Sequence, residues 1–253
     1  TEHAAFSSCG SDLVAFSGSD QPQVQVDAPL VFAGYGIVAP EYEWNDYAGL
    51  DVKGKVVAVM VNDPGLHDSS TFKGKVLTYY ARWTYKFEEA ARQGAAGVLL
   101  IHTEESATYP WGTVEGSATG RQVRLESAPT SLKVTGWVQR DLMARAFKAA
   151  GADLDRAMAE AGKRGFVGSE LPIRVAATVR STMTRTEIFN VLGRLPGNGG
   201  PLAKEAVVLG AHYDHLGIAK PVDGDSIYNG ARDNAAGVGE MLAIAEAPTR
   251  AEL

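Results

Sequence analysis

Lys55-Val56-Val57-Ala58-Val59-Met60-Val61, closed by Asn62-Asp63-Pro64-Gly65, reads as a buried strand. β-branched and apolar residues run without interruption, and turn formers stop them. Downstream, Tyr79, Trp83, Phe87, Ala90 and Ala91 recur at three- and four-residue steps, which places them on one face of a helix. Gly94 and Gly97 end that helix, and Val98-Leu99-Leu100-Ile101 forms a second short buried strand. Strand, helix, strand in this order predicts a βαβ crossover and an α/β fold.

The reading extends in both directions. Ser17 to Pro22 is a turn or linker, and Leu30 to Val38 a strand broken by Gly34 and Gly36. Tyr109 to Gln122, with Pro110, Gly112, Gly116 and Gly120, reads as loop, and Thr130 to Val134 as a strand. Arg140 to Ala150 is expected as a helix with Leu142, Met143, Ala146 and Phe147 on its apolar side, followed by a second helix over Leu154 to Ala161. Ile173 to Thr182 alternates apolar and polar residues, as a half-exposed strand does. Phe189 to Leu195 and Ala206 to Leu209 read as two more strands, joined by the hairpin-like turn Pro196 to Pro201. The pattern divides the chain into a leader (1–26), a β-rich unit (27–181) and a second unit (182–253).

The 253 residues are 45% hydrophobic and 21% charged with a net charge of -6, an ordinary globular composition. The mild acidic excess, without any Lys/Arg run, argues against a nucleic-acid binder. No apolar stretch approaches the roughly 18 residues needed to span a membrane. Thr1 to Ser11 is polar and mixed, unlike a signal peptide; if the protein is exported, its signal lies upstream. The single cysteine, Cys9, cannot form an internal disulfide, and no G-x-S-x-G stretch supports a serine hydrolase.

Chemistry concentrates between Val207 and Gly239. The strand Ala206 to Ala211 delivers His212-Tyr213-Asp214-His215 to its carboxyl end, where open α/β sheets form ligand sites. His212 and Asp214 are two apart, so along a strand they point the same way, and a carboxylate beside an imidazole fixes the tautomer of a metal-binding histidine. A structural His and Asp at a strand end is the alternative. Asp223 to Ala231 reads as a loop, after which Arg232-Asp233-Asn234-Ala235-Ala236-Gly237 opens a helix over Val238 to Glu246. Asp233 therefore stands at a helix N-terminus, as a carboxylate favoured by the dipole or merely as a cap.

In combination, Gly210-Ala211-His212-Tyr213-Asp214-His215-Leu216-Gly217 and Asn229-Gly230-Ala231-Arg232-Asp233-Asn234 resemble the M28 family of zinc aminopeptidases and carboxypeptidases. The resemblance implies a two-zinc exopeptidase, most simply an aminopeptidase acting on peptides. His212 would be a terminal ligand, Asp214 its supporting partner, and Asp233 the bridge between two ions whose repulsion needs a shared carboxylate. His215 would line the cleft or pack, rather than bind metal. Nitrogen and oxygen ligands suit zinc, with Mn or Co as substitutes.

Upstream, Ala33-Gly34-Tyr35-Gly36, Asp46 to Val57 and Ala90 to Ile101 resemble a protease-associated (PA) domain, which some M28 enzymes carry beside or within the peptidase core. That resemblance implies a non-catalytic module bordering the substrate cleft and a periplasmic or secreted location. Tyr80, Trp83, Tyr85, Tyr109 and Trp111 would pack in the core or wall the cleft. The family pattern also requires an adjacent Glu pair and a late histidine. After Gly239 only Glu240, Glu246 and Glu252 remain; Glu88-Glu89 and Glu104-Glu105 precede the motif and read as solvated helix face and loop. The expectation is thus a fragment with an incomplete peptidase sheet and no general base. Its alternative function is that of an inert PA-type binding module.

Overall fold

The computed structural model describes residues 10–118, 122–123, 125, 131–197 and 199–250, and the chain divides into two compact units at Thr186/Glu187. Cys9, Thr130 and Glu252 lie outside the described residues.

The first unit is built on a six-stranded mixed sheet. Its strands are β1 (Leu13–Ser17), β2 (Gln23–Phe32), β5 (Val56–Met60), β6 (Gly97–His102), β7 (Val134–Gln139) and β8 (Ser169–Arg180), in the order β1-β7-β6-β5-β2-β8. A two-residue ribbon of β3 (Val38–Ala39) and β4 (Trp44–Asn45) stands apart from it. β5 pairs in parallel with β6, Val57 opposite Val98, and α1 (Trp83–Arg92) crosses between them, so the βαβ reading holds. The four central strands β2, β5, β6 and β7 run parallel, with β1 and β8 antiparallel at the edges. The mixed α/β class is therefore as the sequence predicts.

The parallel strands are buried on both faces, which is why β5 and β6 read as unbroken apolar runs. Val56, Ala58, Met60, Leu99 and Ile101 pack on one side with Leu142, Met143 and Phe147 of α4 (Arg140–Ala149) and Leu154 of α5 (Leu154–Ala161). Val57, Val59, Val98 and Leu100 pack on the other with Ala90 of α1 and Val114 of α3 (Trp111–Ala118).

Several local expectations are corrected. Leu13–Ser17, within the leader, belongs to the sheet: β1 pairs with β7, Val14 opposite Trp137. Trp111–Ala118, read as loop for its glycines, is helical; Gly112 and Gly116 leave open space around the backbone, and Val114 supplies a buried anchor. The strand placed near Thr130 runs instead from Val134 to Gln139. Glu104–Ala107 is the short helix α2, capped by the Thr103 hydroxyl, rather than loop. Glu89 is not solvated: it is buried and accepts hydrogen bonds from Arg92 Nε and Gln93 Nε2, both at 2.8 Å.

The second unit departs further. Phe189 to Leu195 and Ala206 to Leu209 form no strands, and Val191, Leu192, Val207 and Val208 are 87 to 92% exposed. A strand needs a neighbour to take its N–H and C=O groups, and no described segment pairs with these two. The expected peptidase sheet is replaced, among the described residues, by one antiparallel hairpin of β9 (Gly217–Val222) and β10 (Asp225–Tyr228), followed by α6 (Ala236–Arg250).

Inside the first unit a lysine is buried. Lys86 Nζ donates to the Asn62 carbonyl at 2.8 Å. Burial pushes its amine from 10.5 down to about 7, against the opposing pull of Asp46 and Asp63. Between those values the unfolded chain holds a proton that the folded chain lacks. The stability linked to Lys86 is therefore complete above pH 10.5 and is lost as the pH falls through about 7. Lys86→Met should consequently gain on the wild type at pH 7 relative to pH 10, as read from urea midpoints at both values. A larger gain at pH 10 would contradict this account.

Candidate metal centre

The second unit's polar residues are brought together by a turn. Asp223 and Gly224, both with positive φ (53° and 87°), form the two-residue loop between β9 and β10. Such a loop matches the twist of the flanking strands, and Asp-Gly is among its preferred sequences. The ladder pairs Ile218 with Ile227 and Gly217 with Tyr228. Continued by two residues, that register puts His215 opposite Gly230. Gly230 is indeed so close that an added Cβ would stand 2.9 Å from His215 Cβ, and its φ of 66° is itself left-handed. The hairpin thus folds the Gly230 to Asp233 segment back onto the His212 to His215 segment.

Three side chains converge as a result. His212 Nε2 lies 3.0 Å from Asp233 Oδ1, and His215 Nδ1 lies 3.6 Å from Asp233 Oδ2. On its other edge, His212 Nδ1 meets the backbone carbonyl of Asp214 at 2.8 Å and the Asp214 carboxylate at 3.3 Å. The carbonyl contact, followed by the Asp233 and Asp214 carboxylates, raises the His212 pKa above the ordinary imidazole value. A carbonyl can only accept, so Nδ1 carries the proton and Nε2 presents its lone pair toward Asp233 whenever the ring is neutral. His212 and Asp214 do not sit on a strand as expected; residues 211–216 are irregular, and the contact is made within a local bend.

Asn234 is a residue whose role the sequence reading left unassigned. Its Nδ2 donates to the His212 carbonyl at 3.3 Å, tying the start of the helical segment to the histidine. Gly237 makes this possible: a Cβ there would stand 2.3 Å from Asn234 Oδ1. Helical periodicity gives no signal for it, because Asn234 lies ahead of α6 with non-helical backbone angles. Residues 231–235 form a wide, kinked turn that leads into α6, and Asp233 and Asn234 have non-helical backbone angles. Asp233 is therefore not a regular helix cap.

The donor chemistry suits a cation such as zinc. Two ligands of one tetrahedral zinc, each about 2.0–2.1 Å from the ion, stand roughly 3.3 Å apart. His212 Nε2 and Asp233 Oδ1 are near that separation. Among the described residues, no group of three or more His, Cys, Asp and Glu side chains is arranged to hold a metal. The fit is to two ligands. A small cavity of about 230 Å³, bordered by Tyr213, His215, Asn229 and Asn234, adjoins them.

The aromatic residues singled out in the first unit divide. Tyr85 is buried, Tyr80 donates to Glu41 at 2.6 Å, and Trp111 donates to the Gly10 carbonyl at 3.0 Å. Trp83 and Tyr109, with Phe87 and Trp137, wall a cavity of about 1010 Å³ within that unit. No helix among the described residues is long and apolar enough to cross a membrane.

Residues 190–252 match the family model of peptidase family M28. No curated protein matches the chain. Among solved structures, an aminopeptidase from Aneurinibacillus sp. strain AM-1 aligns at 17% identity with a TM-score of 0.28, over 69% of this chain and 34% of that one. The chain therefore spans about a third of that aminopeptidase's length.

Gly237→Ala should dislodge the Asn234 amide and destabilise the second unit. Gly239→Ala, two residues on and in open space, should instead stabilise α6 by about 0.5–1 kcal/mol. Side-chain amide NMR signals of Asn234 should shift in the first variant and stay in place in the second. Unshifted signals in Gly237→Ala would sink the clearance argument.

Proposed function

We propose, from the match of residues 190–252 to peptidase family M28, that the protein is a metal-dependent exopeptidase of the aminopeptidase type, hydrolysing a terminal peptide bond at a two-zinc centre. The observation that carries the proposal is the convergence of His212 Nε2 on Asp233 Oδ1 at 3.0 Å, with the far edge of the imidazole held at Asp214. His212 would be a terminal ligand, oriented through Nδ1 by the Asp214 carbonyl and carboxylate. Asp233 would be the ligand shared by the two ions; its two oxygens face different neighbours, His212 at Oδ1 and His215 at Oδ2. Asn234 keeps His212 in register through the peptide carbonyl. Bound zinc supplies Lewis acidity toward the scissile carbonyl and makes water a better nucleophile near neutral pH.

A second reading concerns the 253-residue chain by itself. Because no group of three or more possible ligands is arranged to hold a metal among the described residues, we propose that this chain alone turns over no peptide, and that its first unit acts as a PA-type binding module. Both metal affinity and proton transfer depend on groups beyond these two ligands.

Chelation of the enzyme carrying this segment should abolish hydrolysis of aminoacyl-p-nitroanilides, and zinc should restore it. Asp233→Asn and His212→Ala should each reduce turnover to background. Asp214→Ala leaves the backbone carbonyl in place and should lower metal affinity by about tenfold, the lower end for a supporting partner. Activity that survives both chelation and Asp233→Asn would refute the proposal. Metal-dependent turnover by the purified 253-residue chain, lost in His212→Ala, would refute the second reading alone.

A further inference from the structure

A side-chain amide can be attacked by the backbone nitrogen that follows it, provided that nitrogen is unshielded and not engaged. The asparagines of this chain divide on that test. Asn62 is buried, with Oδ1 accepting from the Asp63 N–H at 2.9 Å and Nδ2 donating to the Ser106 carbonyl at 3.3 Å. Asn45 Oδ1 accepts from the Tyr47 N–H at 2.9 Å, and Asn234 donates to the His212 carbonyl at 3.3 Å. Asn190 is exposed, but the β-branched Val191 follows it and shields the nitrogen. Asn198 lies outside the described residues. Asn229 differs from the others. Its side chain is exposed, its amide makes a long contact of 3.4 Å with the Ile227 carbonyl, and Gly230 follows it with no Cβ over the nitrogen. β10 ends at Tyr228, and no described residue accepts from the Gly230 N–H.

We infer that Asn229-Gly230 is a modification site, converted without an enzyme through a cyclic imide to aspartyl and isoaspartyl forms. The Gly230 nitrogen gives up its proton to solvent and bonds to Asn229 Cγ; the Cγ–NH2 bond breaks, and the amine takes a proton from water and leaves as ammonia. Both reacting groups sit in one short stretch of chain, so proximity favours closure of the five-membered ring. Water then opens the ring. Cleavage of the bond between the ring nitrogen and Cγ gives aspartate in a normal chain. Cleavage of its bond to the Asn229 main-chain carbonyl carbon gives isoaspartate, with the former side chain now in the backbone. The isoaspartyl form adds one carbon to the main chain, about 1.5 Å, immediately before Gly230. There is no room for it: even a Cβ on Gly230 would stand 2.9 Å from both His215 Cβ and the Asp233 carbonyl oxygen. The hairpin of the isoaspartyl form therefore no longer returns Gly230 to its place opposite His215.

Incubation of the purified 253-residue chain in mildly alkaline buffer, followed by peptide mapping with mass spectrometry, tests this. The peptide holding Asn229 should first lose the mass of ammonia and then gain that of water, and it should become a substrate for an isoaspartyl methyltransferase. The peptides holding Asn62 and Asn190 should stay unchanged over the same period. Asn229→Gln, whose amide would have to close a larger ring, should lose the ammonia signal and the methyl labelling. The imidazole NMR signals of His215 should shift in the isoaspartyl form. An unmodified Asn229 peptide, or one modified only after the chain is unfolded in urea, overturns the inference. Modification of Asn190 at the same rate overturns the part assigned to Gly230, and unshifted His215 signals in the isoaspartyl form overturn its structural consequence. None of these measurements involves metal or peptide turnover, so their failure leaves the exopeptidase proposal standing.

Discussion

The parallel ladder joining Val56–Met60 to Gly97–Ile101 is the interaction on which the first unit rests. Each strand takes the other's backbone N–H and C=O groups out of competition for water, and only then can Val57, Val59, Val98 and Leu100 be buried without orphaned polar groups. The crossover helix α1 follows from the same ladder, because two parallel neighbours cannot be joined by a tight turn. Once these strands are paired, β2 and β7 extend the sheet on either side, and the helices α4 and α5 find an apolar face to cover.

The second unit obeys the same constraint from the opposite side. Val207-Val208-Leu209 has the residues of a strand, yet it is exposed and unladdered. Propensity cannot make a strand where no neighbour accepts its hydrogen bonds. Gly217–Val222 has a poorer strand composition, with a glycine and a proline, but it carries its partner two residues away beyond Asp223-Gly224. Local closure succeeds here because the loop is short and its backbone already has the required hand.

This contrast explains what could be read in advance. The βαβ core was legible because apolar runs, helical periodicity and terminating glycines agreed with one another. Trp111–Ala118 was misread because Gly112 and Gly116 count as breakers on composition alone, while the helix depends on Val114 finding the core. Glu89 was misread because its burial depends on Arg92 and Gln93 being one turn away, which no count of charges reveals. At the candidate centre, His212, Asp214 and Asp233 were legible as residue types at a spacing. Their contact depends on the Asp223-Gly224 turn, and that turn was read as part of a loop instead of a hairpin. The part played by Asn234 and Gly237 was hidden for another reason: it consists of space left empty for a side chain.

The arrangement has a consequence for the second unit's own stability. Among the contacts that tie its hairpin, its irregular His212 segment and its helix are Asn234 to the His212 carbonyl and the imidazoles of His212 and His215 to Asp233. These are exposed polar contacts, which water and salt screen, so each contributes little. A cation held by His212 and Asp233 would join the two segments at their point of closest approach, and binding energy spent there is folding energy. On the proposed reading, the metal centre is then both the chemical site and the main clasp of the unit that carries it. The glycines at 230 and 237 matter in both respects, because each clears the space in which one half of that clasp meets the other.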